Sequence, residues 1–181
     1  MYFVKEKIEV LNLNPKDYIS TENLLSDYSG VTISNKLPTT EKVTAFQKND
    51  ILISNIRPYL KKVWVAVKDG GASNDIIVIK AKSNINTSFL SSVIKNDDFI
   101  KRLIKIEFQK YIDYQILPNL KYQPKEFHFV GSIAHHYKDL LIETAQENNI
   151  KIDNINLSEA GMTGNQVMIR GMESRHSLVL V

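Results

Sequence analysis

Residues 50–62 read Asp50-Ile51-Leu52-Ile53-Ser54-Asn55-Ile56-Arg57-Pro58-Tyr59-Leu60-Lys61-Lys62, and the stretch changes character at its middle. The first half is a β-branched apolar run closed by Ser and Asn, the composition of a buried strand over 50–55. The second half sets an Arg, a Tyr and two Lys around Pro58. Proline fixes its own φ and restricts the residue before it, so the loop has few conformations to lose on binding. Arg57 offers a planar fork that matches a guanine edge or a phosphate. Lys61 and Lys62 supply charge with little geometric demand, and Tyr59 can stack on a sugar or donate to a phosphate. The plainer reading of the same loop is a solvated turn.

Working outward, the spacing predicts further strands over 63–67 and 76–80. Asp69-Gly70-Gly71 between them reads as a glycine turn, either closing a hairpin or supplying positive φ. Ile76-Ile77-Val78-Ile79 is a continuous apolar run of the kind buried on both faces. Near Thr87 the pattern becomes helical: Phe89, Leu90, Val93, Ile94, Phe99, Ile100, Leu103, Ile104 and Phe108 recur at spacings of three and four. Pro118 and Pro124 interrupt it. Phe127-His128-Phe129-Val130-Gly131 reads as a short strand running into a helix, with Ser132 as its cap and Asn148-Asn149 as its end. Beyond about Asn154 clear periodicity is lost, and the tail reads as either a terminal strand or a partly disordered segment. The expected fold class is mixed α+β: a strand-rich N-terminal half with a small twisted sheet and a helical C-terminal half.

Composition bounds what such a chain can do. With 181 residues, 43% hydrophobic and 24% charged, it has ordinary globular proportions. No run of about 18 apolar residues exists and charges interrupt the first ten residues, so neither a membrane span nor a secretory signal is expected. The absence of cysteine removes disulfides, thiolate nucleophiles and Cys-based zinc, which suits the cytoplasm. The net charge of +3 is modest but unevenly spread: residues 1–84 carry 12 Lys/Arg against 9 Asp/Glu, and residues 131–181 carry 4 against 6. A phosphate-facing surface therefore belongs in the first part of the chain.

Two further clusters flank the opening stretch: Tyr18-Ile19-Ser20-Thr21-Glu22-Asn23 and Gly70-Gly71-Ala72-Ser73-Asn74-Asp75. Taken singly, the first is a strand running into a capped helix and the second a turn whose side chains satisfy backbone groups. Taken in order, the segments YISTENLL (18–25), Leu37-Pro38 ahead of Phe46, DILISNIRPYLKKVWVA (50–66), GGASNDIIVIK (70–80) and SFLSSVIKNDDFI (88–100) resemble a target-recognition domain of type I restriction-modification specificity subunits. The resemblance covers residues 1–102. It implies a DNA-reading domain over 1–102, which leaves 103–181 as a helical or mixed appendage.

The resemblance further implies a non-catalytic component that binds double-stranded DNA and positions adenine methyltransferase (modification) and restriction subunits, with no cofactor of its own. The expected DNA-contacting residues are Ser20, Thr21, Asn55, Arg57, Tyr59, Lys61, Lys62, Ser73 and Asn74. Full specificity subunits hold two such domains, so a homodimer of this chain would restore a two-fold arrangement. The family's Lys-Gly-Thr-rich segment and Pro-Arg-Gly-Asp-like loop have no counterpart in residues 101–130.

Residues 99–152 instead are similar to the C-terminal part of N-acetylglucosamine kinase-like, BadF-type ATPases, above all through His128-Phe129-Val130-Gly131-Ser132-Ile133-Ala134-His135-His136-Tyr137. That resemblance implies an alternative function, a nucleotide-binding subdomain derived from an actin-like sugar kinase. Gly131-Ser132 would meet an anion there, although strand-to-helix packing is the commoner use of such a glycine. The kinase phosphate loop and catalytic carboxylate are missing from this sequence. His135 and His136 are adjacent and so lie on different helix faces, and no His-Glu-x-x-His pattern accompanies them, so no metal site is expected.

Overall fold

The computed structural model describes residues 1–118, 127–156 and 167–170. The chain divides into two compact units, Met1–Asn96 and Asp97–Val181. The division falls ahead of the expected break at 102/103, which would cut a continuous helix.

Unit 1 contains eight strands among its described residues: β1 (Tyr2–Phe3), β2 (Lys7–Glu9), β3 (Tyr18–Ile19), β4 (Lys42–Phe46), β5 (Ile51–Ser54), β6 (Val63–Val65), β7 (Gly70–Ala72) and β8 (Ile76–Lys80). They are followed by helix α1 (Thr87–Ile94). Instead of one small sheet there are two four-stranded sheets, ordered β1-β8-β5-β6 and β2-β4-β7-β3. The first is antiparallel throughout; in the second, β7 and β3 run parallel. Strands of two or three residues, such as β1 to β3, are too short to show a period in sequence.

The apolar run in β5 is explained by burial on both of its faces. Leu52 joins Ile19, Phe46, Ala72, Ile76 and Val78 in a cluster that draws on strands of both sheets. Ile51, its neighbour in the chain, packs with Val63, Ile79 and the α1 residues Leu90 and Ile94. Successive strand residues point to opposite faces, so a sheet covered on one side by its partner sheet and on the other by a helix needs apolar residues at every position. Asn86 caps α1, its side chain accepting from the Ser88 and Phe89 amides at 2.8 and 3.1 Å.

The expected glycine turn is corrected. Gly70 and Gly71 form part of β7, and neither has a positive φ. Glycine is required there by close packing: a Cβ on Gly70 would overlap the Asp17 carbonyl, and one on Gly71 would stand 2.7 Å from Val43 Cγ2 and 2.8 Å from Leu13 Cδ2.

Unit 2 begins with α2 (Asp97–Tyr111), which runs into a π-helical turn, Ile112–Ile116. Then come β9 (Phe127–Val130), α3 (Ser132–His136), α4 (Lys138–Glu147), β10 (Ile152–Asn156) and β11 (Val167–Arg170). Among the described residues, its three strands form a parallel sheet ordered β10-β9-β11. This half is therefore not purely helical, and the protein as a whole is of the mixed α+β class. Ile112, Ile116, Phe127, Phe129, Leu141 and Ala145 build its core. Lys105 ties α2 to Glu143 and Glu147 of α4, each at 2.8 Å.

The strand-to-helix reading holds with one change: Gly131, not Ser132, occupies the cap position, with φ 131° and ψ 160°, a conformation that excludes side chains. Asn148 closes α4 and Asn149 follows in a left-handed conformation, φ 56°. Pro124 and most of the tail beyond Asn156 lie outside the described residues.

Candidate nucleic-acid interface

Two backbone links and one side-chain link bring the three sequence clusters to one end of the unit 1 sheets. The Ser73 amide donates to the Ile19 carbonyl at 2.9 Å, and the Asn55 amide donates to the Asp75 carbonyl at 3.0 Å. The Lys62 ammonium donates to the Thr21 carbonyl at 2.7 Å. β3, β5 and β7 all exit at this end, so Ser20 and Thr21, Asn55 through Lys62, and Ser73 with Asn74 stand side by side.

Each segment has a definite local form. After β3 the chain turns without entering a helix, because the Asn23 side chain accepts from both the Ser20 amide (3.1 Å) and its hydroxyl (2.7 Å). After β5, the buried Ser54 hydroxyl donates to the Ile56 carbonyl at 3.0 Å and accepts from the Ile56 amide at 3.3 Å. Arg57 (φ 54°, ψ 66°) and Lys61 (φ 53°, ψ 41°) are both left-handed and bracket a 3-10 turn, Pro58–Leu60. Non-glycine residues in that region cost about 1 to 3 kcal/mol each and persist where surrounding contacts enforce them, often at functional sites.

The candidates divide by what their side chains do. Arg57 and Asn74 are exposed, while Ser20, Thr21, Asn55, Tyr59 and Lys61 are half-buried. Lys62 is half-buried, and one of its ammonium donors fastens one cluster to another through the Thr21 carbonyl. Ser73 also turns inward, its Oγ buried and without a well-formed hydrogen bond. It lies close enough to Tyr18 to favour that phenol's ionised form, yet burial, followed by the negative charge of Asp75, pushes the Tyr18 pKa up overall.

Lys7 completes the cluster and is not legible in sequence. Its ammonium reaches Thr44 Oγ1 at 3.0 Å and Asn74 Oδ1 at 3.4 Å, across 67 residues of chain. The resulting surface combines Lys7, Arg57 and Lys61 with the carboxylates of Glu22 and Asp75. It can hold phosphates and present both donors and acceptors to base edges.

The opposite end of the sheets carries a concavity of about 180 Å³ lined by Glu6, Phe46, Gln47, Asp50, Asp69 and Lys80, among others. Asp50 is buried there, and desolvation raises its pKa, partly offset by the Gln47 amide and the Lys80 charge. Its carboxylate closes the β4–β5 turn by accepting from the Gln47 amide at 2.8 Å. Among the described residues no cluster of three or more metal-ligating side chains occurs, and no helix is long and apolar enough to cross a membrane. No known protein family matches this chain, and no curated protein is similar to it.

Proposed function

We propose that unit 1 reads double-stranded DNA as one target-recognition module of a type I specificity subunit, without catalysing a reaction itself. The observation that carries this reading is the convergence of three segments, distant in sequence, on one sheet end where Arg57 and Asn74 are exposed beside Lys61 and Lys7. A cationic surface on strained, enforced loops at the edge of a rigid two-sheet body suits base reading, which needs donors held in fixed places. On this reading the chain works in the cytoplasm alongside modification and restriction subunits, and a homodimer would read a split palindromic site.

Selection from a pool of random duplex DNA at two salt concentrations tests the reading. The expected result is an enriched motif of a few base pairs, bound with an affinity that falls as salt rises. The absence of enrichment at both concentrations would overturn it.

A second reading concerns unit 2 and is favoured by one observation. A parallel strand, β9, is followed by Gly131, whose conformation is closed to side chains, and the chain leads straight into α3, the arrangement expected of a nucleotide-binding subdomain. Calorimetry with adenine nucleotides, on wild type and Gly131→Val, would reveal binding that is lost in the variant.

A further inference from the structure

No motif marks residues 26–30, yet they build part of the same sheet end. The Ser29 amide donates to the Ser26 carbonyl at 3.1 Å, and the two residues between, Asp27 and Tyr28, have φ of 53° and 61°. The Leu25 amide donates to the Gly30 carbonyl at 2.9 Å, and Leu24 pairs with Val31. This is a tight hairpin turn with two positive-φ positions, which ordinarily selects Asn-Gly. Tyrosine is a costly occupant of the second position.

What holds Tyr28 there are contacts that leave the turn. The Asp27 amide donates to the Leu60 carbonyl at 3.0 Å and the Tyr28 amide to the Lys61 carbonyl at 3.1 Å. The Tyr28 hydroxyl donates to the Lys95 carbonyl at 2.9 Å, just past α1, and the Lys95 ammonium lies 5.5 Å from the centre of the Tyr28 ring. The two facing loops thus contain four left-handed residues, Asp27, Tyr28, Arg57 and Lys61, joined by two backbone hydrogen bonds and fastened through one phenol to the end of a helix.

We infer that Tyr28 is a positioning residue that holds the Arg57–Lys61 loop in one geometry, and that through this loop it sets discrimination between DNA sequences rather than overall attraction to DNA. A loop fixed before binding loses less conformational freedom in the complex and keeps the Arg57 donors aimed at one place. The discrimination role rests on the DNA-reading assignment; the holding of the loop does not.

The test uses the full chain with Tyr28→Gly and Tyr28→Phe. Glycine accepts the turn's φ without strain but removes the phenol anchor, whereas phenylalanine keeps a ring beneath Lys95 and removes only the hydroxyl. In Tyr28→Gly, amide exchange at position 28 and at Asp27 should speed up about tenfold or more beyond any change at the amides of β5 and β8, which report the stability of the whole unit. Preference for the selected duplex over a scrambled one should fall about tenfold, with the salt slope unchanged. Tyr28→Phe should fall between wild type and Tyr28→Gly in both readouts.

Wild-type exchange and wild-type preference in both variants would overturn the inference. So would an equal loss of affinity for target and scrambled duplexes with a salt slope reduced by about one, which would make Tyr28 a direct phosphate contact. If wild type itself selects no duplex, the DNA reading and the discrimination role fail together, and the exchange rates alone decide whether Tyr28 holds the loop.

Discussion

The two ends of the unit 1 sheets use the same kinds of residue to opposite effect. Around the β4–β5 turn, polar groups are consumed by one another: the Gln47 amide bonds Asp50, the Lys48 amide bonds Asp69 at 2.7 Å, and the Lys80 ammonium bonds the Gln47 side chain at 2.6 Å. At the other end, Ser54 and Lys62 are consumed in the same way, but the loops they brace put Arg57 and Asn74 into solvent. The lesson is that turn chemistry alone does not mark a site. An end becomes a binding surface when some of its polar residues complete the turns and leave others without that task.

The contrast can be broken or sharpened by substitution. The largest effect is expected at the consumed end, where Gly70→Val would force a side chain against the Asp17 carbonyl and the Phe46 ring. Denaturant unfolding should show a loss of about 3 kcal/mol or more, and a neutral result would refute the close-packing account of β7.

At the offered end, Arg57→Ala should weaken binding to the selected duplex by about 1 to 3 kcal/mol while changing stability little, because the exposed guanidinium is not part of the core. Equal affinity of wild type and variant for every duplex would remove Arg57 from the site. Lys61 and Lys62 should then separate. Lys61→Ala is expected to reduce binding to all sequences and flatten the salt dependence by about one unit. Lys62→Ala is expected to lower unfolding stability by about 1 kcal/mol through the lost bond to Thr21, and the reverse pattern would exchange their roles.

The smallest effect is a pH trend. Because burial raises the Asp50 pKa above its unfolded value, ionising it opposes folding, so its favourable contribution is complete below the unfolded pKa and is lost as pH rises through the folded one. The melting temperature of Asp50→Asn relative to wild type should therefore climb as pH is raised from acid toward neutral. A flat difference would mean that the Gln47 amide and Lys80 fully compensate the burial.

Much of the architecture was legible because burial leaves a periodic trace. The strand expected over 76–80 is β8 at Ile76–Lys80, and the helical spacing beyond Thr87 corresponds to α1 and α2. β9 and its helix junction were marked by the shift from Phe127-His128-Phe129-Val130 to Gly131. Gly70-Gly71 misled because glycine serves turns and close approaches alike, and only the neighbours Asp17, Val43 and Leu13, which come from other strands and loops, tell them apart. Lys7 and Tyr28 carry no local signal, since each acquires its place through contacts more than 30 residues away.

By itself, then, the sequence determined the longer buried strands and the helices, and the one loop, 57–62, that holds cationic, proline-stiffened chemistry, because these follow from side-chain period and local backbone restriction. Tertiary structure alone decided that this loop meets the segments after β3 and β7 at one end, that Lys62 bonds the Thr21 carbonyl while Arg57 stands exposed, and that a tyrosine in a strained turn faces the loop between them. Those outcomes depend on strand order and on hydrogen bonds between residues far apart in the chain, and no local pattern encodes strand order.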